Sequence, residues 1–188
     1  SGKPNPVPGA WVGISFISPL PGSELKNCDI LYAGKGGPSV SMSGSSAVID
    51  SNLVIDGCFI AHGADDGIYL ATGGSPIIRN TTIHDHAGYG ILEGTWSCDP
   101  KVDSCAITNC GNYAIRNWAD NVKNYHHLFI HDNEPDAIYV RSEDISSGYW
   151  ENHGVPYHTS TIDASGIKLK DGETLVLEPG VEIQIARP

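Results

Sequence analysis

Two adjacent carboxylates, Asp65 and Asp66, are the side chains whose type is closest to a catalytic pair. Glycoside hydrolysis uses two carboxyl groups, one as the acid and the other as the nucleophile or base. Asp65 and Asp66 lie in the segment HGADDGI, at a position that the segments following it fill with Gly88–Tyr89 and Asn112–Tyr113. This correspondence favours a solvated corner, and the sequence assigns no catalytic residue.

Histidine and aspartate side chains recur along the chain at intervals of about two dozen residues. His84 and His131 would share one outward column two turns apart, about 10 Å, which is too far for both to bind one metal ion. We therefore predict no metal ligand and no cofactor, with calcium the only ion left open. The residues retained as candidate contacts to a glycan or an ion are Asp65, Asp66, His84, His86, His131 and Asp132.

An outward aromatic stripe accompanies one of the scattered arginines. Arg116 shares its predicted face with Tyr69 and Tyr139. Aromatic rings beside polar groups suit the stacking of sugars, because each ring offers an apolar face. The sequence is therefore compatible with carbohydrate binding.

Five cysteines are present without a C-x-x-C pair, a pattern that favours disulfides over a metal site. Cys28 and Cys58 fall in one inward column on successive turns, about 4.8 Å apart if stacked. That separation is compatible with a bridge, although two buried thiols remain the alternative. One further pair is predicted, without a choice of partners, among Cys98, Cys105 and Cys110.

Internal repeats set the positions of all these residues. Four segments align without gaps: IDGCFIAHGADDGIYL, IRNTTIHDHAGYGILE, VDSCAITNCGNYAIRN and YHHLFIHDNEPDAIYV, and LKNCDILYAG matches their first half. The central isoleucines are 30, 23, 24 and 23 residues apart. The predicted core stacks comprise Ile30, Ile60, Ile83, Ile107 and Ile130, and then Ile68, Ile91, Ile115 and Ile138.

Two further columns predict the path of the backbone. Residues that tolerate positive φ precede the small or apolar column, as a sharp corner requires; they are Asn27, Gly57, Asn80, Ser104 and His127. Glycine or alanine precedes the second isoleucine column, so close packing is expected there. Inward residues two apart indicate strands, and like residues stacked once per turn predict an all-β parallel solenoid. A leucine-rich repeat fits poorly, because leucine is scarce and no helical return is present.

The Gly-Ile turns, the asparagine corners and the 23-residue period resemble the right-handed parallel β-helix proteins of the pectin-lyase-like superfamily. The resemblance implies the fold over almost the whole chain, and it leaves function open because this scaffold carries lyases, hydrolases and structural proteins alike. The motif order of the polygalacturonase-like hydrolases is not matched. A pectate-lyase mechanism would need a base beside bound calcium, whereas Arg79, Arg116 and Arg141 lie on different turns.

Composition bounds the remaining possibilities. The chain has 188 residues with 11 Lys+Arg against 22 Asp+Glu, a formal charge of −11. A nucleic acid or an anionic membrane would repel that charge, and no apolar run approaches the roughly 18 residues of a membrane span. We expect an extracellular or cell-surface protein of one domain, without nucleic-acid partners.

The two ends of the sequence lead to the functional hypotheses. We predict a stack over residues 1–145, a connecting segment at 146–160, and a C-terminal strand segment at 161–188 that forms an extra or exchanged turn without obvious caps. PGAWVGISF opens the chain and DGETLVLEPGVEIQI closes it, the reverse of their order in the proteins that it resembles. This order favours a non-catalytic structural protein whose copies join head to tail in a filament or array. The alternative is a carbohydrate-binding or polysaccharide-degrading domain, a lyase or glycoside hydrolase if it is an enzyme.

Overall fold

The computed structural model describes residues 5–44, 53–159 and 166–185, and its strands wind into one stack of parallel coils. The first sheet has eight strands, in the order β1 (Ile14–Ile17), β4 (Val40–Ser43), β7 (Ile68–Thr72), β10 (Ile91–Glu93), β13 (Ile115–Trp118), β16 (Ile138–Arg141), β19 (Tyr157–Thr159) and β22 (Ile183–Ile185). We call it sheet A.

Two five-stranded sheets form the other walls of the coils. Sheet B consists of β2 (Glu24–Lys26), β5 (Val54–Asp56), β8 (Ile77–Arg79), β11 (Lys101–Asp103) and β14 (Tyr125–His126). Sheet C consists of β3 (Asp29–Leu31), β6 (Phe59–Gly63), β9 (Thr82–His86), β12 (Ala106–Thr108) and β15 (Phe129–His131). The last coils add the pairs β17 (Asp144–Ile145) with β20 (Lys168–Leu169) and β18 (Gly148–Trp150) with β21 (Leu175–Leu177).

Like residues stack on like residues along the interior. The central isoleucines are direct register partners from Ile30 to Ile130, and the second isoleucine column runs in register from Ile68 to Ile138. All nine side chains are buried. Because every coil adds the same apolar side chains to the same interior columns, the core is a continuous file along the axis. The predicted all-β solenoid is confirmed.

Left-handed corners turn the chain between sheets B and C. The predicted corner residues Asn27, Gly57, Asn80, Ser104 and His127 all have φ between 50° and 65°. A second column of left-handed corners follows sheet C and was not predicted; its residues are Tyr32, His62, Asp85, Asn109 and Asp132. Both columns allow three flat walls to close into a coil within about 23 residues, since a left-handed residue turns the chain sharply from one wall to the next.

The final coils differ from the predicted division of the chain. Residues 146–160, predicted as a connecting segment, include β18 and β19, and β19 pairs with both β16 and β22. That segment therefore belongs to the stack as far as the structure describes it. The C-terminal segment supplies β20 to β22, which pair with strands of the same chain as an extra coil. Aromatic and polar residues without a clear period concealed this coil in the sequence.

One short helix interrupts the strands. A 3₁₀ helix at Ala119–Asn124 connects β13 to β14. None of the described residues forms a helix with the length and apolar character of a membrane span.

Candidate functional site

The outer surface of sheet A carries most of the partly exposed aromatic rings. Strand alternation aims one residue of each coil outward, and register continues that column through Tyr69, Leu92, Arg116, Tyr139 and His158. Successive parallel strands are about 4.8 Å apart, so these side chains form a ladder along the solenoid axis. We call this surface the aromatic face; it comprises Tyr69, Tyr89, Leu92, Tyr113, Arg116, Trp118, Tyr139, Arg141 and His158.

Arginine side chains on the aromatic face stack against rings. The Arg116 guanidinium carbon lies 5.9 Å from the Tyr89 ring centroid and 5.8 Å from that of Tyr139. The Arg141 guanidinium carbon lies 3.9 Å from the Trp118 ring centroid. Neither arginine forms a salt bridge with a carboxylate in the described part of the chain, where Arg79 is the arginine that does. The two cations are therefore positioned by rings and keep their hydrogen-bond donors available.

Ring-to-ring contacts restrain the C-terminal part of the aromatic face. The Tyr113 ring lies edge-on to Tyr139, with centroids 5.2 Å apart, and edge-on to His158 at 5.6 Å. Edge-to-face packing of this kind restrains the rings before any ligand binds. The sequence stripe of Tyr69, Arg116 and Tyr139 is present in the structure, whereas Tyr89 and Tyr113 were missed because they precede the strands.

The carboxylates of Asp65 and Asp66 both accept hydrogen bonds from backbone amides. Asp65 Oδ1 accepts a hydrogen bond from the Asp66 amide at 3.0 Å, and Asp66 Oδ1 accepts one from the Tyr89 amide of the next coil at 2.8 Å. Burial raises the pKa of the Asp66 carboxyl, while Arg116 partly opposes that shift. These contacts give both residues a role in holding the corner.

A groove of about 720 Å³ runs beside the second corner column, at the end of sheet C. Its polar lining includes His84, Asp85, Asn109, Asp132 and Glu134. Three carboxylates line the groove, and no lysine or arginine does among the described residues. Its potential is therefore negative, which favours a cationic ligand.

The candidate histidine contacts occupy different environments. His131 is partly exposed, with Nδ1 2.6 Å from Asp132 Oδ2. His86 is only 2% exposed, and its Nε2 is 3.1 Å from the Ile60 carbonyl oxygen. Burial lowers the pKa of the His86 imidazole. His86, which the sequence grouped with the outward contacts, thus faces the interior because it follows the left-handed corner residue Asp85.

The family of the chain follows from the coils that carry these surfaces. A family model described as the right handed beta helix region matches residues 17–140. The chain belongs to the right-handed β-helix family. No curated protein and no solved structure matches the β-helix significantly. The match covers the aromatic face up to Tyr139 and every lining residue of the groove except Pro8, and it identifies the fold of both without a ligand for either.

All five cysteines of the β-helix are free thiols in the structure, so the predicted disulfides are not formed. Cys28 and Cys58 are neighbours, as predicted, but the Cys58 thiol donates to the Leu25 carbonyl at 3.5 Å. Burial raises the pKa of the Cys98, Cys105 and Cys110 thiols to about 12, 11 and 12. Buried thiols of this kind behave as small apolar core residues.

A buried carboxyl group in the β-helix was not singled out by the sequence. Glu93 is fully buried, and its carboxyl group accepts hydrogen bonds from the Tyr125 hydroxyl and, at 2.9 Å, from the Asn121 amide. Burial raises the pKa of Glu93 to about 7, against the opposing effect of these donors. The signal was present, since Glu93 lies two residues after Ile91 and alternation aims both inward.

Metal ligation by a large side-chain cluster has no candidate in the described ranges. Within residues 5–44, 53–159 and 166–185, no group of three or more histidine, cysteine, aspartate or glutamate residues is placed to hold an ion. Calcium binding therefore stays a prediction from the sequence.

Proposed function

We propose that this β-helix binds an acidic polysaccharide along its aromatic face. The observation that carries the proposal is the placement of Arg116 between the rings of Tyr89 and Tyr139, without a salt bridge to any carboxylate of the described residues. A guanidinium held in this way offers paired donors to a carboxylate or sulfate group, while the rings offer apolar surface to the sugar. Such a role belongs outside the cell or on its surface.

The geometry of the aromatic face supports a linear ligand. Its side chains come from successive coils, about 4.8 Å apart, so a chain lying along the axis would meet them in order. Arg141 on Trp118 supplies a second cation one coil beyond Arg116. In a protein of net charge −11, two arginines without salt bridges on one face give local attraction for an anion.

Binding without cleavage is the form of the proposal that the contacts favour. Asp65 and Asp66, the adjacent carboxylates beside Tyr89, both accept backbone hydrogen bonds. A glycosidase needs one carboxyl group free to donate a proton and another free to attack or to activate water. We therefore propose a binding surface and assign no catalytic role.

Titration calorimetry with polygalacturonate as the probe tests this function. We expect Arg116→Gln to weaken binding about tenfold or more, because a hydrogen bond to a charged group contributes about 1.5–3 kcal/mol. Arg79→Gln is the matched control, since Arg79 lies on sheet B and is paired with Asp56. Equal affinities for the two variants, or no binding by the unmodified chain, would contradict the proposal.

End-to-end assembly is a second candidate, favoured by the two outer strands of sheet A. β22 exposes Ile183 and Ile185, whose fractional exposures are 45% and 65%. Ile183 and Ile185 lie at one end of two interior columns of sheet A. At the other end of the same columns, the outer strand β1 presents Ile14 and Phe16. A copy added by translation would place its β1 against β22 with the apolar columns continuous. Such a contact is heterologous and generates a filament.

Sedimentation velocity over a range of concentrations tests the assembly. We expect Ile185→Lys to abolish concentration-dependent growth, because a charge would enter the shared apolar column. Phe129→Lys is the control, since Phe129 is exposed on the side wall formed by sheet C. A constant monomer mass for the unmodified chain would exclude this candidate.

A further inference from the structure

We propose that His62 and His84 bind one divalent transition-metal ion that accepts tetrahedral coordination, such as Zn²⁺ or Co²⁺, through their Nε2 atoms. His62 is a left-handed corner residue at the end of β6, and His84 lies on β9 in the next coil. The two ring centroids are 5.9 Å apart and the ring planes are nearly perpendicular. Two imidazoles on one tetrahedral ion, with metal–nitrogen bonds of about 2.0–2.1 Å, have centroids about 5–6 Å apart.

The second ring nitrogen of each histidine is already held. His62 Nδ1 is 2.6 Å from Asp85 Oδ2, and His84 Nδ1 is 2.8 Å from Thr108 Oγ1 and 3.3 Å from Asn109 Nδ2. A metal on His84 Nε2 therefore requires the ring proton on Nδ1, where Thr108 Oγ1 can accept it, and a rotation of the Asn109 amide. An ionised carboxylate only accepts, so Asp85 holds the proton of His62 on Nδ1 and leaves the Nε2 lone pair for a metal. Neither Nε2 atom has a hydrogen-bond partner in the described part of the chain. Partners on the non-ligating nitrogen are the usual second shell of histidine metal ligands.

The surroundings favour a cation with water as its remaining ligands. His84 and Asp85 line the negative groove, which also contains Asp132 and Glu134. Its volume of about 720 Å³ leaves room for metal-bound water, and its carboxylates can accept hydrogen bonds from that water. His86 does not contribute, because it is buried and its Nε2 is already bonded to a backbone carbonyl.

Another histidine pair of the same protein provides the control. His127 is also a left-handed corner residue, and its Nδ1 is 2.9 Å from Asp103 Oδ1. Its neighbour His126 is adjacent in the chain, with ring centroids 6.3 Å apart and the planes tilted by 49°. His127 thus has the same backbone conformation as His62 and, like His62, a carboxylate beside Nδ1. Among the described residues, however, no ring from another coil faces it.

Calorimetric titration of the full chain with CoCl₂, whose ion is paramagnetic and accepts tetrahedral coordination, tests the site, with imidazole NMR resonances as the second measurement. We expect one ion bound per chain and paramagnetic broadening that is strongest at the His62 and His84 rings. His62→Asn, which keeps a residue tolerant of positive φ, and His84→Gln should each weaken binding about tenfold or more. Asp85→Asn, which keeps an acceptor oxygen for Nδ1 but removes its negative charge, should also weaken binding.

His127→Asn should leave the affinity unchanged. Absence of binding, binding that survives both His62→Asn and His84→Gln, or an equal loss in His127→Asn would each overturn the proposal. Circular dichroism of the variants separates a lost ligand from a lost fold. The metal site and the aromatic face lie on different walls of the solenoid. These substitutions should therefore leave polygalacturonate binding unchanged. The two proposals are independent, so a result that contradicts one does not contradict the other.

Discussion

Replacing Glu93 with glutamine is expected to stabilise the protein by about 3 kcal/mol above pH 7, and by less than about 0.5 kcal/mol at pH 4.5. The reason is the buried carboxyl group, whose pKa is raised from 4.5 to about 7 in the folded protein. Each unit of that difference is worth about 1.4 kcal/mol. Glutamine does not titrate, so the pH-dependent cost disappears.

The sign of the pH dependence follows from proton binding in the two states. Between pH 4.5 and pH 7 the unfolded chain releases the Glu93 proton while the folded chain retains it. The folded state therefore binds more protons, and the free energy of unfolding falls as pH rises through this window. Below pH 4.5 the contribution of this group to stability is fully present, and above pH 7 the loss is complete.

The hydrogen bonds around Glu93 make glutamine a suitable replacement. Its carbonyl oxygen can accept from the Asn121 amide, and its amide can donate to the Tyr125 hydroxyl, which is able to accept as well as donate. Glu93→Ala should instead lower stability, because the Tyr125 hydroxyl, the Asn121 amide and the Trp118 backbone amide would each lose the acceptor that Glu93 provides.

Urea denaturation at pH 4.5, 6 and 8 measures the effect of Glu93→Gln. Glu134→Gln is the control, because Glu134 is exposed and its replacement should change the free energy of unfolding equally little at all three values. A Glu93→Gln variant whose stabilisation is the same at every pH, or which is less stable than the original at pH 8, would show that burial does not hold the Glu93 proton.

A methyl group added at Gly90 is expected to destabilise the protein by about 1–3 kcal/mol, the usual cost of overpacking a core. A Cβ at Gly90 would lie 2.5 Å from the Ala114 carbonyl oxygen of the next coil and closer still to the Ile107 methyl group. Neither contact is with the flexible end of a long side chain, so the coils themselves would have to separate. The predicted close packing beside the second isoleucine column is thus present at this glycine.

Thermal and urea unfolding of Gly90→Ala and Gly37→Ala give a matched comparison. A Cβ at Gly37 would meet no atom within 4 Å, and its φ lies outside the left-handed region. We expect Gly37→Ala to be neutral or slightly stabilising, since alanine reduces the entropy of the unfolded chain. If the two alanine variants were equally stable, the spacing of the coils would not depend on a bare backbone at Gly90.

The sequence predicted the coil because a solenoid repeats in one dimension. Once Ile60, Ile83 and Ile107 are aligned at one period, alternation determines which neighbours face inward. Residues tolerant of positive φ mark the first corner, as at Asn80, for the same local reason. The second corner was missed although four of its five residues, all except Tyr32, are histidine, aspartate or asparagine, the types that adopt positive φ most often after glycine.

The candidate sites depended more on the tertiary structure. The sequence identified Arg116 and Tyr139, whereas the stacking of Arg116 on Tyr89 arises between neighbouring coils from rotamers that periodicity does not specify. His84 was singled out with His131, two coils away, and its nearest ring proved to be His62. The left-handed backbone conformation of His62 changes the direction of its side chain, and the spacing of residues in the sequence does not predict that direction.

The sequence by itself thus determined the repeat, the interior columns and the first corner, because each depends on residue type at a fixed spacing. Only the tertiary structure decided that 146–159 joins the stack, that the thiols stay unpaired, and that Glu93 is enclosed with its donors. These outcomes depend on which polar atoms meet across adjacent coils. Those contacts depend on the side-chain rotamers and on the offset between adjacent coils, and a repeat period of 23 residues determines neither.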